Sequence, residues 1–192
     1  MLIVMAGLPG SGKSTIAAAL ARSVGCAIVA VDPIEAALLR AGIAADQPTG
    51  LAAYVAAEAV AREQLRLGHH VVVDAVNDAA EVRQQWRDVA AGEGVDLRFV
   101  EVLAPDDEAH RARLAGRTRD LPGFPEPTWA SVAGRRDGFA TWDEERIRVV
   151  ADGDPAEAAA AIERATGLGA VAFGVGRAAP SDADVERADA ER

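Results

Sequence analysis

Apolar residues form five short continuous runs along the first 150 positions of the chain. Continuous runs with little polar alternation are typical of parallel strands that are covered on both faces. We therefore predict five buried strands, at Leu2–Ala6, Ala27–Val31, His70–Ala75, Leu97–Leu103 and Ile147–Val150.

Between these runs, apolar residues recur at helical spacing, over positions 16–24, 51–65 and 82–89. Glycines at 68 and near 92 are predicted to end the second and third of these helices. Alternation of strand and helix with short connections predicts an α/β fold, a three-layer sandwich around a mainly parallel five-stranded sheet. In the second helix, we expect the buried face to carry Leu51, Tyr54, Val55, Ala59 and Leu65.

The chain of 192 residues is long enough for one substantial core and short for two. Residues 1–167 are therefore assigned to one domain. After Gly167 the composition shifts to small apolar and then charged residues, so 168–192 is predicted to be a C-terminal tail. The tail is either flexible and loosely docked or an ordered appendage.

The net charge of −10 argues against a long nucleic acid as partner, because binding a phosphate backbone requires clustered cations. The longest apolar runs are too short to span a bilayer, and the N-terminus lacks the apolar stretch of a secretory signal. We therefore expect a cytoplasmic location and no membrane partner. Cys26 lies in an apolar stretch and is interpreted as a small buried hydrophobe.

A phosphate-binding loop is the strongest signal in the sequence. It reads Gly7-Leu8-Pro9-Gly10-Ser11-Gly12-Lys13-Ser14, followed by Thr15, and fits the pattern G-x-x-x-x-G-K-[ST] in full between a predicted strand and a predicted helix. In such a loop the backbone N–H groups and the helix N-terminus bind phosphate oxygens. Lys13 would reach the β and γ phosphates of ATP, and Ser14 would bind Mg²⁺. Lys13 is also the only lysine among 20 basic residues, which suggests a site where only an ammonium group fits.

Two aspartates fall at the carboxyl ends of predicted strands, where ligands bind in open parallel sheets. Asp74 suits the Mg²⁺ shell together with Ser14, and its alternative role is to cap a strand. Asp32 suits a base that takes the proton of an acceptor hydroxyl. Its alternative role is the N-cap of a helix that begins at Pro33.

An arginine-rich helix is predicted to begin near residue 106, and with the proline-containing loop up to 127 it forms a helical lid. Arg117, and after it Arg113, would stabilise charge on the transferred phosphoryl group. Alternatively, these arginines only complement the helix dipole. Asn77 and Trp129 are candidate walls of a substrate pocket, although aromatic residues at such positions more often belong to the core.

With these features, the chain resembles the P-loop kinase-like proteins of the AAA-domain ATP-binding type. That group includes polynucleotide 5′-hydroxyl kinases, zeta-toxin-like kinases and chloramphenicol phosphotransferase-like enzymes. The resemblance covers about residues 1–167. It implies that Asp32 is the acid that accepts the acceptor's proton and that Arg113 and Arg117 belong to the lid helix. The chain lacks the Phe-Ile-Ser-Pro stretch of adenylylsulfate kinases and the triple glycine of shikimate kinases.

Three functions remain open at this point. The first is an ATP- and Mg²⁺-dependent phosphotransferase that acts on a hydroxyl of a small molecule. The second is a 5′-hydroxyl kinase of oligonucleotides, which the acidic composition disfavours. The third is a nucleotide-binding ATPase or regulatory module, which the placement of Asp32 disfavours.

Overall fold

A computed structural model, which describes residues 1–117, 121, 124 and 126–169, contains a five-stranded sheet. The strands are β1 (Leu2–Ala6), β2 (Ala27–Ala30), β3 (Val71–Asp74), β4 (Leu97–Leu103) and β5 (Ile147–Val150). All four neighbouring pairs are parallel, and the spatial order is β2–β3–β1–β4–β5. The prediction of an α/β fold with a mainly parallel five-stranded sheet is confirmed.

Helices link the strands and cover both faces of the sheet. Within the described residues they are α1 (Lys13–Val24), α2 (Val31–Arg40), α3 (Thr49–Arg66), α4 (Ala80–Glu93), α5 (Asp107–Ala115), α6 (Trp129–Ala133), α7 (Arg136–Ala140) and α8 (Pro155–Thr166). None of the helices in this part of the chain is long and apolar enough to cross a membrane.

The side chains of β1 alternate between two hydrophobic clusters. Leu2 and Val4 belong to the cluster that contains the buried residues of α3 and α4. Ile3 and Met5 belong to the cluster formed with α1 and α8 on the other face. Since successive side chains of a strand point to opposite faces, one fully buried strand serves both cores. The sheet therefore lies between two layers of helices, which is the predicted three-layer arrangement.

The buried face of α3 differs from the predicted one. Ala53, Ala57 and Ala61 have no exposed surface, whereas Leu51 and Val55 are 66% and 57% exposed. Helix α3 packs against α2 and against β2 and β3, and small side chains allow the backbones to approach closely. A pattern that follows the largest apolar residues therefore selected the wrong face, apart from Leu65, which is buried, and Tyr54, which is partly buried and packs against the core.

Two helix ends also differ from prediction. Helix α2 begins at Val31, so Asp32 lies in its first turn and Pro33 follows inside the helix. Helix α4 continues to Glu93 and ends at Gly94, which has the left-handed backbone conformation that glycine adopts at helix ends. Parts of two predicted segments lie outside the described residues, namely 118–120, 122, 123 and 125 of the lid and 170–192 of the tail.

Candidate functional site

The phosphate-binding loop occupies the six residues between β1 and α1. Gly7 has φ of +152°, and a Cβ atom at this position would lie 2.6 Å from the carbonyl oxygen of Val102. Any larger residue would therefore collide with the backbone of β4. The N–H of Gly7 donates to the carbonyl oxygen of Val76 at 3.1 Å, which ties the start of the loop to the segment after β3.

The loop opens into a cavity of about 1010 Å³ at the carboxyl edge of the sheet. Ligand sites in open parallel sheets lie at this edge. The cavity is lined by most of the residues that we predicted from the sequence to bind the nucleotide and the metal or to take part in catalysis. They are Gly10, Gly12, Lys13, Ser14, Thr15, Asp32, Asp74, Arg113 and Arg117.

Lys13 and Ser14 lie in the first turn of α1, where the helix dipole is positive. Lys13 is 4% exposed although it carries the only ammonium group among the side chains, and Ser14 is exposed to the cavity. An N-terminal helix turn with a buried cation is a binding site for anionic oxygens. This arrangement fits a triphosphate chain.

Asp74 is the last residue of β3 and reaches the cavity from the central part of the sheet. It is 8% exposed, and its Oδ1 atom is buried without a hydrogen-bond partner among the described residues. A buried acceptor that is left unpaired is unfavourable. A carboxylate oxygen is a ligand that Mg²⁺ prefers, and with the hydroxyl of Ser14 the residues present fit a magnesium ion.

Asp32 lies near the end of β2, the neighbour of β3, so the two aspartates meet at one edge of the sheet. Its Oδ2 atom is 3.7 Å from the Nη2 atom of Arg117, which lies two residues after the end of α5. Both side chains are partly exposed, so water screens this ion pair. The pair brings an acid from the sheet and a cation from the lid segment into one place.

Arg113 is held by a different contact. Its Nη2 atom donates to the carbonyl oxygen of Ala151 at 2.6 Å. Ala151 begins the segment between β5 and α8, which lines the same cavity through Asp152, Gly153 and Asp154. Sequence reasoning missed this wall of the cavity. The signal for it was available, because the end of a fifth parallel strand has to lie at the same edge as the other four.

Three loop residues face the opposite way. Gly7, Leu8 and Ser11 line a second cavity of about 250 Å³ between the loop, the end of β4 and the helices α5 and α7. Ser11 is 2% exposed, and its Oγ atom has no hydrogen-bond partner among the residues that the structure describes. The loop thus separates the large cavity from a smaller one.

Asn77 does not line a substrate pocket. It is fully buried, its Nδ2 donates to the carbonyl oxygen of Met5 at 2.7 Å, and its Oδ1 accepts from Nε1 of Trp86 at 3.0 Å. It adopts a positive φ of 54°, which asparagine tolerates better than most residues. Asn77 therefore braces the turn after β3 from inside the core, and the prediction of a substrate contact is wrong.

Tyr54 of α3 does not line the large cavity, but its hydroxyl is close enough to Asp78 and Asp32 to be affected by their charges. Burial raises the pKa of its hydroxyl, and the negative charges of Asp78 and Asp32 raise it further. The hydroxyl is therefore protonated at neutral pH. It accepts the N–H of Asn77 at 3.4 Å and still carries a hydrogen to donate.

The tryptophans belong to packing clusters. Trp142 is buried, edge-on to Phe99 and between the guanidinium groups of Arg83 and Arg146, at 4.5 and 4.4 Å from its ring. Trp129 packs against His110 of α5 with ring centres 5.2 Å apart. Neither tryptophan lines the large cavity.

Sequence comparison identifies one family. The sequence model of a family described as AAA domain matches residues 2–137 of this chain. That match covers most of the chain and includes the loop, both aspartates and both arginines. No curated protein matches the chain significantly in sequence.

Structure comparison gives similar folds at low sequence identity. A sugar kinase from a Janibacter species is 15% identical, with a TM-score of 0.63 over 87% of this chain and 94% of that one. The adenylylsulfate (APS) kinase CysC of Mycobacterium tuberculosis, in complex with AMPPNP and APS, is 22% identical, with a TM-score of 0.60 over 86% and 96%. Kti12 of Chaetomium thermophilum, in complex with ADP-AlF3, is 17% identical, with a TM-score of 0.63 over 88% and 98%. At these identities the likeness establishes the fold that the three proteins share with this chain.

Proposed function

Because the chain belongs to the AAA domain family, we propose that it is an ATP-dependent kinase that transfers the γ-phosphate to a hydroxyl of a small molecule. The observation that carries this proposal is the composition of the large cavity. One space joins the anion-binding loop with Lys13, two strand-end aspartates and two arginines. A module that only binds a nucleotide needs no second acid near the phosphates, so Asp32 favours transfer to an acceptor.

Lys13, Asp32 and Arg117 have distinct roles in the proposed reaction. Lys13 and the loop N–H groups bind the β and γ phosphates. Asp32 accepts the proton of the acceptor hydroxyl as its oxygen attacks the γ-phosphorus. Arg117 lies 3.7 Å from Asp32, and a guanidinium beside the base is close to the transferred phosphoryl group. It therefore stabilises the charge of the transition state.

Asp74 and Ser14 would hold the magnesium ion. The ion supplies positive charge to the phosphate oxygens when it is bound. The unpaired, buried Oδ1 atom of Asp74 supports this assignment, since the ion would provide the partner that the described residues do not.

The charges around the site favour a compact acceptor. Outside the lid helix, Arg135 and Arg136 are adjacent cations, but Arg135 lies 3.9 Å from Asp78 and Arg136 binds Asp107 at 2.7 Å. These two cations are already paired with acids and are poorly suited to a phosphodiester chain. Together with the net charge of −10, this disfavours a long nucleic acid.

A panel assay tests the proposal. Purified protein is incubated with Mg·ATP and single candidates from two sets, hydroxyl metabolites and 5′-hydroxyl oligonucleotides, and ADP release is followed. Stimulation by a metabolite, with a matching phosphorylated product by mass spectrometry, supports the proposal. Stimulation by oligonucleotides alone would indicate a polynucleotide kinase. ADP release that no acceptor stimulates would indicate an ATPase or a regulatory module.

A further inference from the structure

We propose that His110 is a positioning residue that orients the Gly10 N–H of the phosphate-binding loop. His110 lies in α5 and is 4% exposed. Its Nε2 atom is 2.8 Å from the carbonyl oxygen of Pro9, a residue 101 positions earlier in the chain. Because a carbonyl oxygen only accepts, Nε2 carries the hydrogen and donates it. The lid helix is thus hydrogen-bonded directly to the backbone of the phosphate-binding loop.

The planarity of the peptide bond converts this contact into an effect on phosphate binding. In a trans peptide the C=O of one residue and the N–H of the next point in opposite directions. His110 holds the Pro9 carbonyl on the side of the smaller cavity, which His110 itself lines. The Gly10 N–H is therefore turned toward the large cavity, which Gly10 lines. Proline at position 9 has no N–H of its own, so the preceding Leu8–Pro9 peptide offers no donor, and the Gly10 N–H is the next donor along the loop.

The packing around Gly10 supports the same role. Gly10 has φ of +85°, which glycine adopts readily, and a Cβ atom there would lie 3.3 Å from Cδ2 of His110. The imidazole is in turn fixed from behind by the edge-on ring of Trp129, 5.2 Å away. The imidazole therefore has little freedom to move. A variant that keeps the shape of the ring but not its hydrogen bond can be compared with one that keeps the hydrogen bond but not the shape.

The same contact sets the position of the lid arginines. Arg113 lies three residues after His110 in α5, and Arg117 follows two residues after the helix ends at Ala115. Anchoring the helix at His110 therefore fixes both the loop donor and the direction from which the two guanidinium groups reach the cavity. The role of His110 rests on the proposed function, because it assumes that the loop binds the phosphates of ATP.

Three variants separate the hydrogen bond from the packing. His110→Phe keeps the aromatic contacts but cannot donate, His110→Gln can donate through its amide, and His110→Ala removes both. Affinities for Mg·ADP and for adenosine, which has no phosphate, are measured by competition with a fluorescent ADP analogue. We expect His110→Phe to weaken Mg·ADP binding about three- to tenfold, the usual effect of one hydrogen bond, and to leave adenosine binding unchanged. His110→Gln should recover most of the loss.

Two results would overturn the role. One is Mg·ADP affinity in His110→Phe equal to that of the wild type, and the other is an equal loss for Mg·ADP and adenosine. If the variants fold poorly, the amide resonance of Gly10 in ¹⁵N-labelled wild-type protein decides instead. It should shift strongly when Mg·ADP binds and little when adenosine binds, and a Gly10 resonance indifferent to ADP would refute the inference. A wild-type protein that binds no ADP at all would instead refute the proposed function.

Discussion

Replacing Asp74 by asparagine should make the protein more stable without ligand and less able to gain stability from Mg·ADP. Asp74 is 8% exposed, and its Oδ1 atom lacks a partner among the described residues. A buried carboxylate with an unpaired oxygen destabilises the fold, and function accounts for its presence if the oxygen binds a cation. Asparagine has nearly the same shape but carries no charge.

The size of the effect follows from the burial of this group. An unsatisfied buried acceptor costs about 1–3 kcal/mol, and a charged one costs more. The amide retains a polar atom at the same place, so only part of this penalty disappears. We expect a gain of about 1 kcal/mol in the free energy of unfolding, which corresponds to about 2–4 °C in Tm for a protein of this size.

Thermal unfolding of the wild type and of Asp74→Asn is recorded in EDTA and again with Mg·ADP. At a hundredfold excess over Kd, a ligand stabilises the native state by about 2.7 kcal/mol, and the variant should lose most of that gain. Asp96→Asn is the matched control, since Asp96 is exposed and lies outside the cavity, and it should change stability by no more than about 0.5 kcal/mol. A variant that is less stable than the wild type in EDTA, or equally stabilised by Mg·ADP, would rule out Asp74 as a destabilising buried ligand of the metal.

Further predictions concern the other residues. Lys13→Ala should abolish productive use of ATP and Lys13→Arg should do little better, since a guanidinium does not fit the loop; near-full turnover of the arginine variant would contradict this. Asp32→Asn should reduce phosphoryl transfer about 10²–10⁴-fold and leave ATP affinity by calorimetry nearly intact, and a parallel loss of affinity would assign Asp32 to the metal site. Arg117→Ala should lower kcat more than it raises KM for ATP, whereas wild-type kcat would return Arg117 to surface charge. Burial raises the pKa of Cys26 to about 11, so at pH 8 only about one thiol in a thousand is ionised and alkylation by iodoacetamide should be slow, accelerating as pH rises toward that value.

The sheet and the loop could be predicted from sequence because local pattern determines them. The strands of a buried parallel sheet must be apolar on both faces, so continuous runs such as Leu2–Ala6 reveal them directly. Likewise, the loop needs glycine wherever the backbone approaches another strand, as Gly7 does at Val102. Both the strands and the loop are therefore specified by a few consecutive residues, which can be recognised in the sequence.

Features that depend on tertiary contacts could not be predicted in the same way. The buried face of α3 is made of alanines because two backbones approach closely, and no hydrophobicity pattern weighs Ala53 above Leu51. Asn77 and His110 are polar residues that could have faced a ligand. Instead, the side chain of Asn77 hydrogen-bonds to Met5 in the core, and that of His110 hydrogen-bonds to Pro9 in the loop. Their partners, Met5 and Pro9, are far away in sequence, so only the fold reveals the contacts.

In the proposed reaction, the γ-phosphate of ATP moves to a hydroxyl of a small molecule. The most direct test is to incubate the protein with Mg²⁺, γ-³²P-labelled ATP and a pooled metabolite extract from which macromolecules have been removed, and to follow the label by thin-layer chromatography. We expect a labelled small molecule that is distinct from inorganic phosphate, formed by the wild type and absent with Lys13→Ala. Label recovered only as inorganic phosphate from the extract, together with labelled 5′ ends when oligonucleotides are supplied instead, would contradict it.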